Sequence, residues 1–579
     1  MTRRLVLLGV VACALLAGVP AHAHAASSVS TYSVPVTTPD ALGAAVSLDT
    51  DVYVPAGTPP PAGFPLLEIF HGGGSTKDNG YDAAHARTFA DNGYVVVSYS
   101  ARGHGDSGGQ TSVAGPAEIR DLFDVTAWVL GIGGRDQPPH PSFHIDRTRI
   151  ALAGYSQGGL HTNLGQVWSN DAAMNPYGIS FRAIEPGNTP DLVFEALVPR
   201  SVLKLSFGVG LIGTYFGGST SGRIAPVVDK WIATAGADTP QLYGSGDLCD
   251  RSTHDTATST MQQDLAWRSV GCQPGRLGLP WHWAQAFDDG LFTPHMAITM
   301  WRQAPNRDQH RLYLSMGGHA APAAHQSVEE DKLDKQRRFL DAVMQGEPLP
   351  GPSIVYWTRD PTVEVPAGSY AYPANAWRRQ TADSWPPAKV LSATYRLGAD
   401  GSATQGSASS GTRYLSPLTE DARNDPVAAA ALAGTPLGTS PLSSVPATDA
   451  PGLIAGFRTP PFSTEKELSG APFANLSWTP ARTDSQLVVE LFDEAPDGKL
   501  TLFSRGVRGL RGAVPGVEQQ VRIDGNSFSI RIPAGHRVRA WVMAGNAGSY
   551  KPYPTSAGGT LRMGDASTLA LPLRSPPRP

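Results

Sequence analysis

The chain has 579 residues, 41% hydrophobic and 17% charged, and its 63 glycines and 50 prolines make up about a fifth of it. That composition excludes a disordered tail, a coiled coil and a collagen repeat, and the length calls for two or three domains. A formal charge of -4, with acidic and basic residues interspersed, excludes capture of nucleic acid or anionic lipid by a basic face.

At the N-terminus Arg3 and Arg4 precede an apolar run to about residue 19, and the small-residue steps Ala21-His22-Ala23 and Ala23-His24-Ala25 follow. Residues 1–26 therefore read as a cleaved export signal, the run being shorter than the roughly 20 residues of a spanning helix. The expected mature protein is secreted, with no membrane association. Cleavage removes Cys13 and leaves Cys249 and Cys272, an even pair in an oxidising compartment, so a disulfide between them is expected rather than two separate thiols. Two isolated cysteines supply too few ligands for zinc, and no metal site is expected.

From about residue 34 to 168, strand-like runs at 66–70, 94–99 and 149–153 alternate with helical patterns at 83–91 and 117–130. Strands separated by helices imply a parallel sheet covered on both faces. Residues from about 170 to 280 break the rhythm with mixed helical and Gly-rich stretches and carry both mature cysteines, so they read as an insertion. The rhythm resumes with a strand at 283–287, a helix near 294–303, a strand at 311–315 and an amphipathic helix at 327–344, closing a domain over 27–349. Residues 350–579 hold short β-like runs with many turns, an all-β module. Within it, residues 401–451, rich in Ala, Ser, Thr, Gly and Pro, read as a long loop.

The chemistry begins where the strand ending at Ala153 meets Gly154-Tyr155-Ser156-Gln157-Gly158-Gly159 and a helix follows, the strand–turn–helix setting of a G-x-S-x-G nucleophile. Ser156 is the candidate nucleophile, and the N–H of Gln157 is a candidate oxyanion donor. A second donor is sought after strand 66–70, where His71-Gly72-Gly73-Gly74 resembles the HGGG loops of lipases, with Gly72 or Gly73 favoured. His71 precedes the nucleophile and so reads as a loop histidine.

The chain order serine, acid, histidine directs the search downstream. Strand 283–287 ends at Asp288-Asp289, either of which suits the acid. Strand 311–315 ends at Met316-Gly317-Gly318-His319, a histidine on a glycine-flexed loop before the last helix. Such a histidine takes the proton of Ser156 and returns it to the leaving group, while the carboxylate holds its tautomer.

Several further segments carry a resemblance. Residues 98–109 with Arg102-Gly103-His104-Gly105-Asp106-Ser107-Gly108, then Glu118, Asp121, Asp124 and Trp128, are similar to paired motifs of the X-prolyl dipeptidyl-peptidase and cocaine esterase family of serine hydrolases. In the β module, Trp377-Arg378, Trp385-Pro386-Pro387, Asp493, Asp497-Gly498 and Gly535-His536-Arg537-Val538-Arg539 look like that family's C-terminal signatures. The resemblance implies an α/β-hydrolase fold with a helical cap insertion, followed by a galactose-binding-like jelly roll, while hydrolysis through an acyl-Ser156 intermediate is expected to need no metal or organic cofactor. It also implies Asp289 as the acid, because that residue stands just before x-Leu-Phe. Family members commonly supply an oxyanion hydrogen bond from a tyrosine soon after the first motif strand; here Tyr81 lies several residues later and is the weaker candidate.

Three readings follow. In one, a dipeptidyl-peptidase releases X-Pro dipeptides, its substrate's amine held by a carboxylate such as Asp191, Glu195 or Asp247. In another, the same residues cleave small esters or amides, with Trp281, Trp283 and Tyr155 forming an apolar site. In the third, the protein is a secreted binding module with an inactive hydrolase domain. A complete Ser156, Asp289 and His319 order favours an enzyme acting on small peptides or esters.

Overall fold

A computed structural model describes residues 26–576 apart from 137–140, 142, 206–214, 216–219, 221–222, 238–241, 245, 274–277, 320–325, 366–372, 441–448 and 554–556. The expected export signal, Cys13 included, lies outside the described residues except for residue 26. Among the described residues no helix is long and apolar enough to cross a membrane.

The N-terminal region is built on β1 (Ser28–Val36), β2 (Val46–Val54), β3 (Phe64–Phe70), β4 (Val95–Tyr99), β5 (Ile145–Tyr155), β6 (Ala183–Gly187), β7 (Trp281–Ala286), β8 (His310–Ser315) and β9 (Ile354–Arg359). Their spatial order is β1-β2-β4-β3-β5-β6-β7-β8-β9, with β2 antiparallel to both β1 and β4 and every pairing from β4 to β9 parallel. Alternate residues of each strand pack on opposite layers. Leu67, Ile69, Ala151 and Ala153 meet α1 (Gly80–Asp91) and the helix Gln326–Gln345. Leu66, Phe70 and Leu152 belong to the larger core with α2 (Pro116–Leu130) and α3 (Gln157–Trp168). Because both faces are covered, β3 and β7 are buried at every position, polar Glu68, His282 and Gln285 included.

Three expectations need correction. Strand β6 lies inside the stretch expected as insertion, yet it pairs with β5 and β7 at the centre of the sheet, so the insertion starts only after Gly187. Its sequence, Ala183-Ile184-Glu185-Pro186-Gly187, carries a carboxyl group and a proline and gave no strand signal. Strand β9, expected to open the β module, extends the parallel sheet beside β8 while its other edge pairs antiparallel with Trp377–Ala382. The regions are thus joined through a shared sheet rather than by a linker at 350. Finally, the expected loop at 401–451 contains the strand Gly411–Leu415 and the helix Pro426–Leu432. Asp425 caps that helix, accepting from Val427 N and Ala428 N at 2.8 and 3.0 Å.

The β region packs two antiparallel layers. One holds Ile454–Arg458, Arg537–Met543, Ser485–Glu494 and Leu500–Leu510 in that order. The other centres on the long strand Gly559–Arg574, which pairs with Leu391–Leu397, Gly411–Leu415 and Phe473–Pro480. In the insertion, short helices at Val193–Leu197, Pro226–Ala237 and Met261–Trp267 pack together, and Cys249 and Cys272 form a disulfide.

Candidate active site

Ser156 occupies the turn between β5 and α3 with φ 58° and ψ −120°, a conformation L-residues rarely adopt. Its N–H donates to Gly187 O at 2.9 Å, so β6 pins the turn. The flanking glycines are dictated by contact: a Cβ on Gly154 would stand 2.5 Å from Gly158 O, and one on Gly158 2.0 Å from Phe70 O. Only in their absence can the helix start this close to the strands. Gln157 heads α3, where first-turn N–H groups have no partner within the helix.

The loops after β7 and β8 bring the other two groups to this turn. Ser156 Oγ lies 2.8 Å from His319 Nε2, and His319 Nδ1 lies 3.0 Å from Asp289 Oδ2. Asp289 is fully buried and accepts from Leu291 N and Phe292 N, both at 2.8 Å, through its other oxygen. The neighbouring Asp288 does different work, accepting from Gly317 N and Gly318 N at 3.0 Å and so holding the histidine loop. Gly317 and Gly318 have φ 131° and 64°, which lets that loop turn His319 back over Ser156. The Phe292 ring meets the imidazole edge to face at 4.9 Å.

On the opposite side, a Cβ on Gly72 would stand 3.6 Å from Ser156 Cβ, so this peptide borders the nucleophile. One on Gly73 would collide with Tyr215 Oη at 2.6 Å, and Tyr215 Oη in turn donates to Gln157 Oε1 at 2.6 Å. His71 is a brace: its Nδ1 donates to Gly72 O at 2.7 Å and its Nε2 accepts from Ala101 N at 2.9 Å. Burial pushes its pKa down to about 4, keeping it neutral for both bonds.

A cavity of about 410 Å³ opens beside Ser156 and His319, walled by Gly72, Gly73, Tyr81, Tyr155, Asp82, Glu329 and Lys332 among others. Tyr81 stands edge-on to Tyr155 at 5.4 Å, and among the described residues no hydrogen bond joins it to Ser156. Lys332 Nζ pairs with Glu329 at 2.5 Å and lies 5.4 and 5.2 Å from the Tyr81 and Tyr155 ring centres. Burial raises the pKa of Asp82 to about 6.

Other sequence candidates fall elsewhere. Trp281 and Trp283 are buried on β7, Trp281 stacked on His310 at 4.6 Å, and neither walls the cavity. Strand alternation at the sheet centre makes them core. Asp191 and Glu195 line a different cavity, and exposed Asp247 accepts from Cys249 N at 2.9 Å within a turn. Conversely, the sequence reading missed Asn188, whose Nδ2 donates to Gly318 O at 3.2 Å and whose Oδ1 accepts from Ala286 N at 2.9 Å. It follows β6, so recognising that strand would have found it. Gln285, which donates to Phe292 O at 2.7 Å and Asp289 Oδ2 at 3.3 Å, lies inside the strand expected at 283–287, where no local signal sets it apart. Glu329 and Lys332, three apart on the helix Gln326–Gln345, carry no sequence signal that separates them from a solvated surface pair.

A strained serine between strand and helix, with histidine and acid from the next loops of a mostly parallel sheet, defines a serine hydrolase of the α/β-hydrolase class. The sequence-family model described as "X-Pro dipeptidyl-peptidase (S15 family)" matches residues 43–185, and the one described as "X-Pro dipeptidyl-peptidase C-terminal non-catalytic domain" matches residues 352–570. The chain belongs to this X-Pro dipeptidyl-peptidase and CocE-like family. No curated protein matches it in sequence. Among solved structures it is similar to an aminopeptidase from a marine sediment Thaumarchaeota archaeon (TM-score 0.64, 14% identity, 97% of this chain and 98% of that one). It is also similar to an α-amino acid ester hydrolase (0.64, 15%, 96% and 98%) and a CocE/NonD family hydrolase from Staphylococcus aureus (0.65, 12%, 94% and 93%). At these identities the likeness establishes the fold.

Proposed function

We propose that the protein is a secreted serine hydrolase that releases X-Pro dipeptides from peptide amino termini through an acyl-Ser156 intermediate. His319 Nε2 takes the Ser156 proton as Oγ attacks the scissile carbonyl, and Asp289 steadies the imidazolium that forms. The oxyanion faces the N–H of Gln157 and that of Gly73. A trans peptide sets C=O and N–H on opposite sides, so the bond holding Gly72 O to His71 aims the Gly73 N–H away from it. Collapse breaks the C–N bond, and His319 returns the proton to the leaving amine. Water, deprotonated by the same imidazole, then releases the acid from Ser156.

The observation that carries the peptidase reading is that Asp82 and Glu329 wall the same cavity as Ser156, giving carboxyl groups suited to a free substrate ammonium. The family's description supports the X-Pro preference. A second reading, hydrolysis of small acyl esters or amides lacking an amine, draws on the Lys332–Glu329 pair, which already neutralises one of those carboxylates.

Turnover of X-Pro anilides with free and acetylated amino termini, beside short acyl esters, separates the two. Turnover that needs the free amine supports the peptidase, and indifference to acetylation supports the esterase. Ser156→Ala is expected to lower kcat by about 10⁴-fold or more on either substrate. Unchanged turnover in that variant would overturn the enzymatic account.

A further inference from the structure

The cavity lined by Asp191 and Glu195, about 720 Å³, lies where the insertion, the loop after β7 and the β region meet. Its wall carries Lys204, 6% exposed. Lys204 Nζ donates to Leu291 O at 2.7 Å, and among the described residues no carboxylate stands within ion-pair distance of it. The same residue, Leu291, donates its N–H to Asp289 Oδ1 at 2.8 Å. An ammonium therefore sits behind the loop that presents the triad acid, one residue removed from the carboxylate.

What holds Lys204 there comes from the far end of the chain. Lys204 forms an antiparallel bridge with Tyr550, Leu205 N donates to Ser549 O at 3.1 Å, and Lys551 N donates to Leu203 O at 2.8 Å. Tyr553 Oη donates to Ser201 O at 2.7 Å, and Lys551 Nζ to Ala235 O at 2.8 Å. The β region thus grips the insertion strand on both sides of this lysine. We infer that Lys204 is a positioning residue: carried by the insertion and pinned by the β region, its ammonium braces the Asp289 loop and so sets how that carboxylate meets His319.

The electrostatic sense follows from the surroundings. Lys204 is influenced by Asp289 from the loop after β7, Glu195 from the helix Val193–Leu197 and Arg505 from the strand Leu500–Leu510, while Asp191, Arg200, Asp288 and His295 share its cavity. His319 faces Asp289 and Ser156, with Asp82, Glu329 and Lys332 around its own cavity. Burial lowers the Lys204 pKa to about 8, so it still carries its charge at pH 6 to 7, where a catalytic histidine titrates. A positive charge behind Asp289 offsets part of the field that this carboxylate exerts on the imidazole of His319.

This inference rests on the triad reading, and the test separates the two. A fluorophosphonate acylates an activated serine without needing the natural substrate, so its second-order rate against pH reports His319 directly. Rates per titratable site, in the full chain, exclude misfolded protein. In Lys204→Met the acid limb of that profile is expected to move to higher pH by about half a unit or more, the scale of one nearby charge in partly solvated surroundings. Lys204→Arg, which keeps the charge, is expected to restore the limb. A Lys204→Met profile reduced in height but unmoved in pH would overturn the inference while leaving the triad intact. Absence of labelling in the unaltered chain would overturn both. If Lys204→Met yields no titratable sites, the Arg variant decides alone: a displaced limb with the charge retained overturns the inference.

Discussion

The knot between the β4 loop and α2 and the edge of the sheet carrying Ser156 both bury charged side chains, but they satisfy them differently. In the knot, Arg102 Nε and Nη2 donate to the two oxygens of Asp121 at 2.7 and 2.6 Å, and its remaining donors reach Pro39 O and Thr38 O. Asp124 accepts from Thr37 N, Thr37 Oγ1 and Tyr177 Oη, and Glu118 from Thr111 Oγ1, Ser112 N and Gly115 N. At the edge, by contrast, the backbone of Ser156 is strained, the N–H groups that open α3 lack helical partners, and the Ser156–His319 contact faces a cavity. Charge saturated with local partners fastens a fold. Polar groups left open at a strained turn can exchange partners with a substrate.

Substitutions on the two sides should separate by readout. The largest effect is expected for Asp289→Asn, with kcat down about 10⁴-fold because the amide can hold the wrong imidazole tautomer. Asp288→Asn keeps one acceptor for the Gly317 and Gly318 N–H groups and should cost kcat less than about tenfold; equal losses in the two variants would erase the division of labour between these neighbours. In the knot, Arg102→Met leaves Asp121 buried without its cation and should lower unfolding free energy by about 3 to 5 kcal/mol in urea titration. Its kcat per titrated site should stay within about twofold of the parent. A large fall in kcat would mean that the knot is part of the site.

The smallest effect concerns Glu68 on β3, whose carboxyl burial pushes from 4.5 up to about 8. Between those values the folded chain keeps a proton that the unfolded chain releases, so this group's contribution is full below about pH 4.5 and fades as pH rises through 8. Glu68→Gln should therefore raise Tm relative to the parent more at pH 8.5 than at pH 4.5. A gain independent of pH would contradict the assignment.

The parts of the site that could be read before folding are those whose signal is local. A glycine-bracketed serine between strand and helix, a Gly-Gly-His after a strand and an Asp-Asp at another strand end are each written within a few residues. The choice between Asp288 and Asp289 was not: periodicity treats them alike, and resemblance alone favoured the second. Strand β6 escaped because Glu185 and Pro186 mask it, and with it went Asn188, the clasp between Ala286 and Gly318. The carboxylates beside Ser156 were also misplaced, since Asp191 and Glu195 face the wrong cavity while Asp82 and Glu329 come from helices on the other side.

By itself, then, the order of residues determined the class of fold, the nucleophile turn and the identity of the loops that meet it, because short-range packing and backbone sterics write those features locally. Only the tertiary structure decided which aspartate reaches the imidazole, which acids share its cavity, and that a strand bridge near Tyr550 secures the lysine behind the acid. Those outcomes depend on distances between segments tens to hundreds of residues apart. Such distances are set by the twist and stacking of the whole sheet, which no local pattern encodes.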